Sequence, residues 1–159
     1  MTEFNIQNKL FDKFLTLDEF ATENGYTGEP YFATVEVPVR DNETVEEITN
    51  VHLPNVPFES PESKRWFDVT FRNNDPIDAS LMEGSQYRFT GVMYIDVYTP
   101  QDVGEGEAEA VYCWIAKLFN NADMDYVDIM KVYISTKGND ADCYRLQVAI
   151  EWEADIDKE

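Results

Sequence analysis

Few side chains in this sequence are equipped for catalysis. The 159 residues contain one histidine, His52, and two cysteines, Cys113 and Cys143. Nucleophilic catalysis needs a base beside the attacking Ser or Cys, and only His52 could serve. It precedes a segment bearing Pro54, Pro57 and Pro61, where a lone histidine reads as a surface or packing residue. Cys113 falls in an apolar helical pattern, and apolar burial raises a thiol pKa and suppresses its reactivity. The expectation is two buried, reduced thiols, with a disulfide as the alternative; no CxxC occurs and one histidine cannot complete a zinc set. Phosphate-cradling, dinucleotide and nucleophile-elbow patterns are absent from the sequence.

The acids are the remaining source of chemistry. Asp123, Asp125 and Asp128 lie close together, but the glycine and closing glutamate of a calcium loop are missing. Asn139, Asp140 and Asp142 read as turn residues, where Asn and Asp bond their own backbone. Glu62-Ser63-Lys64 resembles the end of a nuclease metal motif, without the strand aspartate that should precede it. With 32 Asp and Glu in the chain, such clusters arise by chance. No catalytic, cofactor-binding or metal-binding residue is therefore expected.

The same acids exclude whole classes of partner. Against 12 Lys and Arg they give a net charge of −20. Nucleic-acid affinity comes largely from cations that neutralise phosphates, so this chain should repel DNA, RNA and anionic lipid. The charge is spread along the chain, as on a folded surface. A hydrophobic fraction of 43% is too high for overall disorder. No apolar run approaches a membrane span, and no secretory leader is visible at the N-terminus. The sequon Asn42-Glu43-Thr44 then carries no meaning.

The length fits one domain, 1–159. Phe4, Leu10, Phe11, Phe14 and Leu15 recur at helical spacing and predict a helix from Met1 to Leu17, capped by Thr2. The pattern is then lost over residues 18–34. Val35, Val37 and Val39 alternate with Glu36 and Pro38, which predicts an edge strand or β-arm. Residues 41–50 read as a mobile acidic loop, so residues 18–50 form a long excursion of arm and loop. Such excursions often serve binding.

Residues 51–63 should be extended. Phe67, Val69 and Phe71 predict a half-buried strand, and residues 75–85 a loop. Over residues 86–99, Phe89, Met93, Ile95 and Val97 share one face; Arg88, Thr90, Tyr94, Asp96 and Tyr98 share the other. A helix over about 105–120 carries the stripe Ala108, Val111, Ile115 and Leu118. Two strands follow, 129–136 and 143–153, joined by a turn at Lys137-Gly138-Asn139-Asp140. The second is strictly alternating, with Tyr144, Leu146, Val148, Ile150 and Trp152 on one face. Residues 155–159 should fray. The class is α+β: a mostly antiparallel sheet of about four strands, with the N-terminal and central helices packed on one face and an extended arm.

Four segments in order resemble a known family. They are Leu53-Pro54-Asn55-Val56-Pro57-Phe58 leading to a strand ending Asp68-Val69-Thr70-Phe71, the strand Gly91 to Pro100, a glycine-containing link into a helix with Ala108, Ala110 and Ala116 ending at Phe119, and a final alternating strand. Together they resemble the tail terminator (tail completion) proteins of long-tailed bacteriophages and prophages. The resemblance covers about residues 1–17 and 51–155, while residues 18–50 depart from it.

The resemblance implies a non-enzymatic structural protein without cofactor. Six copies would form a ring capping the head-proximal end of the tail tube, stop tube polymerisation, and offer a surface to the head–tail connector. The implied partners are a further five copies, the tail tube protein and the connector. DNA would pass through unbound, no membrane would be involved, and the protein would sit in the virion tail after assembly in the host cytoplasm. A closed ring uses two different patches of each subunit. The candidates are the face with Tyr94, Asp96 and Tyr98 and the arm with Val35, Val37 and Val39. Two other readings remain: another tail or head–tail joining protein of similar fold, and an acidic module that mimics nucleic acid.

Overall fold

The structure is a computed structural model that describes residues 3–53, 65–78, 86–100, 104–140 and 142–157. Thr2, residues 54–64 with their three prolines, and the Glu62-Ser63-Lys64 motif lie outside the described residues. The element order is α1 (Glu3–Phe14), α2 (Leu17–Glu23), β1 (Thr34–Arg40), β2 (Glu43–Ile48), β3 (Val51–His52), β4 (Trp66–Asn73), β5 (Ile77–Asp78), β6 (Gln86–Pro100), α3 (Gly104–Asn120), β7 (Val127–Asp140) and β8 (Cys143–Asp157). The class is α+β, as the hydrophobic patterning predicts.

Four long antiparallel strands, in the order β4-β6-β8-β7, make the body of one sheet. The two-residue strand β3 adds in parallel beside β4, and β5 pairs with β6. Alternation decides the faces. Phe67, Val69, Met93, Ile95, Val97, Leu146, Val148, Ile150 and Trp152 are all buried on one side. The helices cover that side: Ile6, Leu10 and Phe14 of α1, Leu17 and Ala21 of α2, and Ala108, Val111, Ile115 and Leu118 of α3 are buried against it. Each such large side chain contributes roughly 1.5–3 kcal/mol by leaving water. Phe14, Phe32 and Phe67 meet edge to face at 5.2–5.6 Å and tie α1 to the sheet.

Gly91 marks a close approach. A Cβ there would sit 2.7 Å from the Arg72 carbonyl oxygen and 2.6 Å from the Trp152 ring. The largest buried side chain of the core thus occupies the space that this glycine leaves open.

Several expectations need correction. The single N-terminal helix is two. The Thr16 hydroxyl and amide both bond the Lys13 carbonyl and close α1, and α2 begins one residue later. Residues 18–23 are therefore helical. Asn24-Gly25 ends α2 with paired bonds, Tyr26 N–H to Ala21 C=O and Gly25 N–H to Thr22 C=O, with Gly25 at φ 101°. The acidic loop at 41–50 is largely a strand. β2 pairs with β1 through a two-residue turn, Asp41-Asn42, with Asn42 left-handed at φ 64°, which Asn tolerates.

The expected turn at Lys137 to Asp140 is strand, paired with Leu146 to Cys143; the reversal falls just beyond it. Asp155 to Asp157 do not fray but continue β8 beside β6. Cys113 is exposed and Cys143 half-buried, and neither is in a disulfide, so the expectation of two buried thiols fails at Cys113. Cys113 projects from the outer side of α3, opposite the buried stripe through Ala108, Val111, Ile115 and Leu118.

Candidate assembly surfaces

The second face of the sheet has no helix over it among the described residues. Tyr94, Asp96 and Tyr98 come together there, as their spacing requires, but with different roles. Tyr98 stacks on Trp66, ring centroids 4.0 Å apart and nearly parallel. Tyr94 is half-buried; it and Tyr133 are register partners of Ala149, which is fully buried on this face. Asp96 is only 4% exposed. Its carboxylate is held within its own chain. Arg145 Nη2 lies 3.0 Å from its carboxylate, and Asp68, its register partner, has Oδ1 3.1 Å from His52 Nδ1. Burial pushes the Asp96 pKa up, against the opposing pull of Arg145 and the Gln147 hydrogen bond. At the far end, Arg88 bonds Asp155 and lies 2.6 Å from Glu153; the Arg88 bond holds the Asp155 pKa down.

The arm is the second surface. β1 and β2 form a sheet of their own, and among the described residues only its base, at Ile48, packs on the core. Val37 and Val45 are cross-strand partners, and Val35 is two residues along, so three valines share one face. Val35, Val39 and Val45 are 48%, 55% and 49% exposed. An isolated two-stranded hairpin is marginal in water. A valine face on such a hairpin gains nothing from its own chain.

The root of the arm is the opposite. Tyr31 and Phe32 are buried in the core. The Asp18 carboxylate of α2 accepts both of their amide N–H groups, at 2.6 and 3.1 Å. Asn50, 3% exposed, accepts from Ala33 N–H and donates to the Tyr31 carbonyl. Arg65 donates to the carbonyls of Pro30 and Tyr31, pairs with Glu107 of α3, and lies over the Tyr31 ring, whose other neighbour is Tyr26 at 4.9 Å. Every polar group at the root thus meets a partner from a different element, and the direction in which the arm leaves the body is set.

Sequence reasoning did not find Asp18, Asn50 or Arg65, whose partners are up to 42 residues away. Nor did it find Val45, which lies in an acidic run with too few apolar neighbours to show alternation. The acidic clusters do other work: Asp125 pairs with Lys9 of α1 at 2.9 Å. Among the described residues no three His, Cys, Asp or Glu side chains form a group that could hold a metal ion. A pocket of about 290 Å³ beside Lys137, Gly138, Asn139 and Arg145 is a shallow opening at the end of the β7–β8 pair.

An α+β body with one open sheet face and one projecting arm defines a protein equipped for association. The family model of phage tail terminator proteins matches residues 41–152, more than half of the chain, and the chain belongs to that family. It is thus a bacteriophage tail protein of the structural kind. The match begins in the turn of the arm and takes in β2, while α1, which the sequence resemblance included, lies before it. One solved structure shares the fold, with a TM-score of 0.53 at 19% identity over 70% of this chain and 82% of its own. A search of the curated proteins finds no match. No helix among the described residues is long and apolar enough to cross a membrane.

Proposed function

We propose that six copies of this chain form a ring on the head-proximal end of the tail tube, end its polymerisation, and present the surface to which the head connector joins. The family match over residues 41–152 carries this reading. The charge supports it. A net −20 lets phosphates pass a lumen without adhering, where a basic ring would hold them. The arm and the open sheet face supply two unlike patches, as a closed ring of identical subunits requires.

Solution mass by light scattering, across protein concentration and with or without magnesium, tests the reading. The expected result is a mass near six subunits, or a rise toward it with concentration. Acidic subunits repel one another, so added salt or magnesium should strengthen association. A tail-assembly reaction lacking the protein should give overlong tubes. Tubes of normal length that join heads without it would overturn the proposal.

A further inference from the structure

We infer that the valine face of the arm docks across the open sheet face of the next copy, with Glu43 and Glu47 of the arm meeting Arg72 and Lys131 of that copy. The inference rests on the ring reading and deepens it by naming the contact.

On β2 the residues that share the valine face are Glu43, Val45 and Glu47, paired with Arg40, Val37 and Val35. The two glutamates stand four residues apart, roughly 13 Å at the rise of a strand. Between Thr34 and Ile48 the arm carries five acids and one base, so its partner surface must offer cations.

The body offers them in one place. Arg72, Val92, Glu151 and Lys131 are successive register partners across β4, β6, β8 and β7, and so form one row on the open face. Arg72 and Lys131 are exposed and carry no ion pair among the described residues. Three strand spacings separate them, roughly 14 Å. The two charges of the arm and the two of the sheet are thus matched in sign and in span. Val45 would then lie between Val92 and Glu151, beside the Tyr94–Ala149–Tyr133 row.

Other surfaces fit worse. The outer side of α3 bears Glu105, Glu107 and Glu109 and would repel the arm. The free edge of β7 is interrupted by bulges at Met130 and Ser135 and carries Lys131 and Lys137, features that block strand addition. The remaining cations of the open face are already engaged, Arg88 by Glu153 and Asp155 and Arg145 by Asp96.

The test uses the full-length chain with Cys113 and Cys143 replaced by serine. A Val45→Cys sample is mixed with a Val92→Cys sample under mild oxidation, and disulfide formation is compared with a control in which Val45→Cys meets a chain retaining only Cys113. The expected result is cross-linking at least about tenfold faster for the Val92→Cys mixture, since a disulfide needs the two Cα atoms within roughly 7 Å. In parallel, Lys131→Glu should raise the concentration at which copies associate by roughly tenfold, and adding Glu47→Lys to it should restore association. Lys131 is exposed, so a melting curve close to that of the parent checks that the fold is kept. A mass near six subunits with cross-linking at the control rate would overturn the arm contact and leave the ring standing. Fast cross-linking with a mass that stops at two would keep the contact and remove the six-fold ring. Monomers with cross-linking at the control rate would overturn the inference.

Discussion

The root and the blade of the arm are built from adjacent residues on opposite principles. At the root, Tyr31 to Ala33 and Asn50 are held by bonds from α2, Asn50 and Arg65, and the side chains are buried. One residue further on, the strands from Thr34 to Glu47 pair with each other and leave Val35, Val39 and Val45 exposed, while Ile48 at the base still packs on the core. The root spends its interactions within the chain, and the blade keeps its apolar face unspent. Folding therefore decides where the arm points and leaves the valines of the blade in solvent. A protein that joins others in a fixed geometry needs both properties, because a loosely rooted arm would pay ordering entropy again at every contact.

The comparison can be broken most forcefully at Asn50. Asn50→Ala leaves the Ala33 N–H without its partner and the Tyr31 carbonyl with Arg65 alone, and should destabilise the monomer by about 2–3 kcal/mol in denaturant melts. A loss below about 0.5 kcal/mol would mean that the root is not where the arm is fixed. Asp18→Ala removes the carboxylate that accepts two amides, and a smaller loss of about 1–2 kcal/mol should follow, because that site is only partly buried. The smallest effect belongs to the blade. Val35→Thr with Val39→Thr should change monomer stability by no more than about 0.5 kcal/mol, while weakening association seen by light scattering. Equal stability losses at root and blade would erase the distinction.

How much of this was legible depended on distance along the chain. The α3 stripe and the β8 alternation were plain, since Val111 and Ile115, or Leu146 and Val148, carry their periodicity within a few residues. Tyr94, Asp96 and Tyr98 were correctly placed on one face by the same rule. That Asp96 would be buried under Arg145 was not visible, because Arg145 reaches it only through strand pairing 49 residues away. The second strand of the arm was misread for a related reason. Its single exposed valine leaves no alternation to see, and its order comes from backbone pairing with β1 and a turn that needs Asn42 in a left-handed conformation. The reversal after β7 was placed too early, since Gly138-Asn139 resembles a turn but is drawn into strand by Arg145 and Tyr144 opposite.

By itself the sequence determined the α+β class, the core faces of the long strands and the strongly acidic charge. These follow from composition and short-range periodicity, which each stretch of chain carries alone. Only the tertiary structure decided that α1 and α2 are separate helices, that the arm is a rooted hairpin with an unspent valine face, and that Arg72 and Lys131 bracket one row of the open sheet. Those facts depend on strand register and on bonds between residues far apart in the chain, and register is settled by which faces can be buried together.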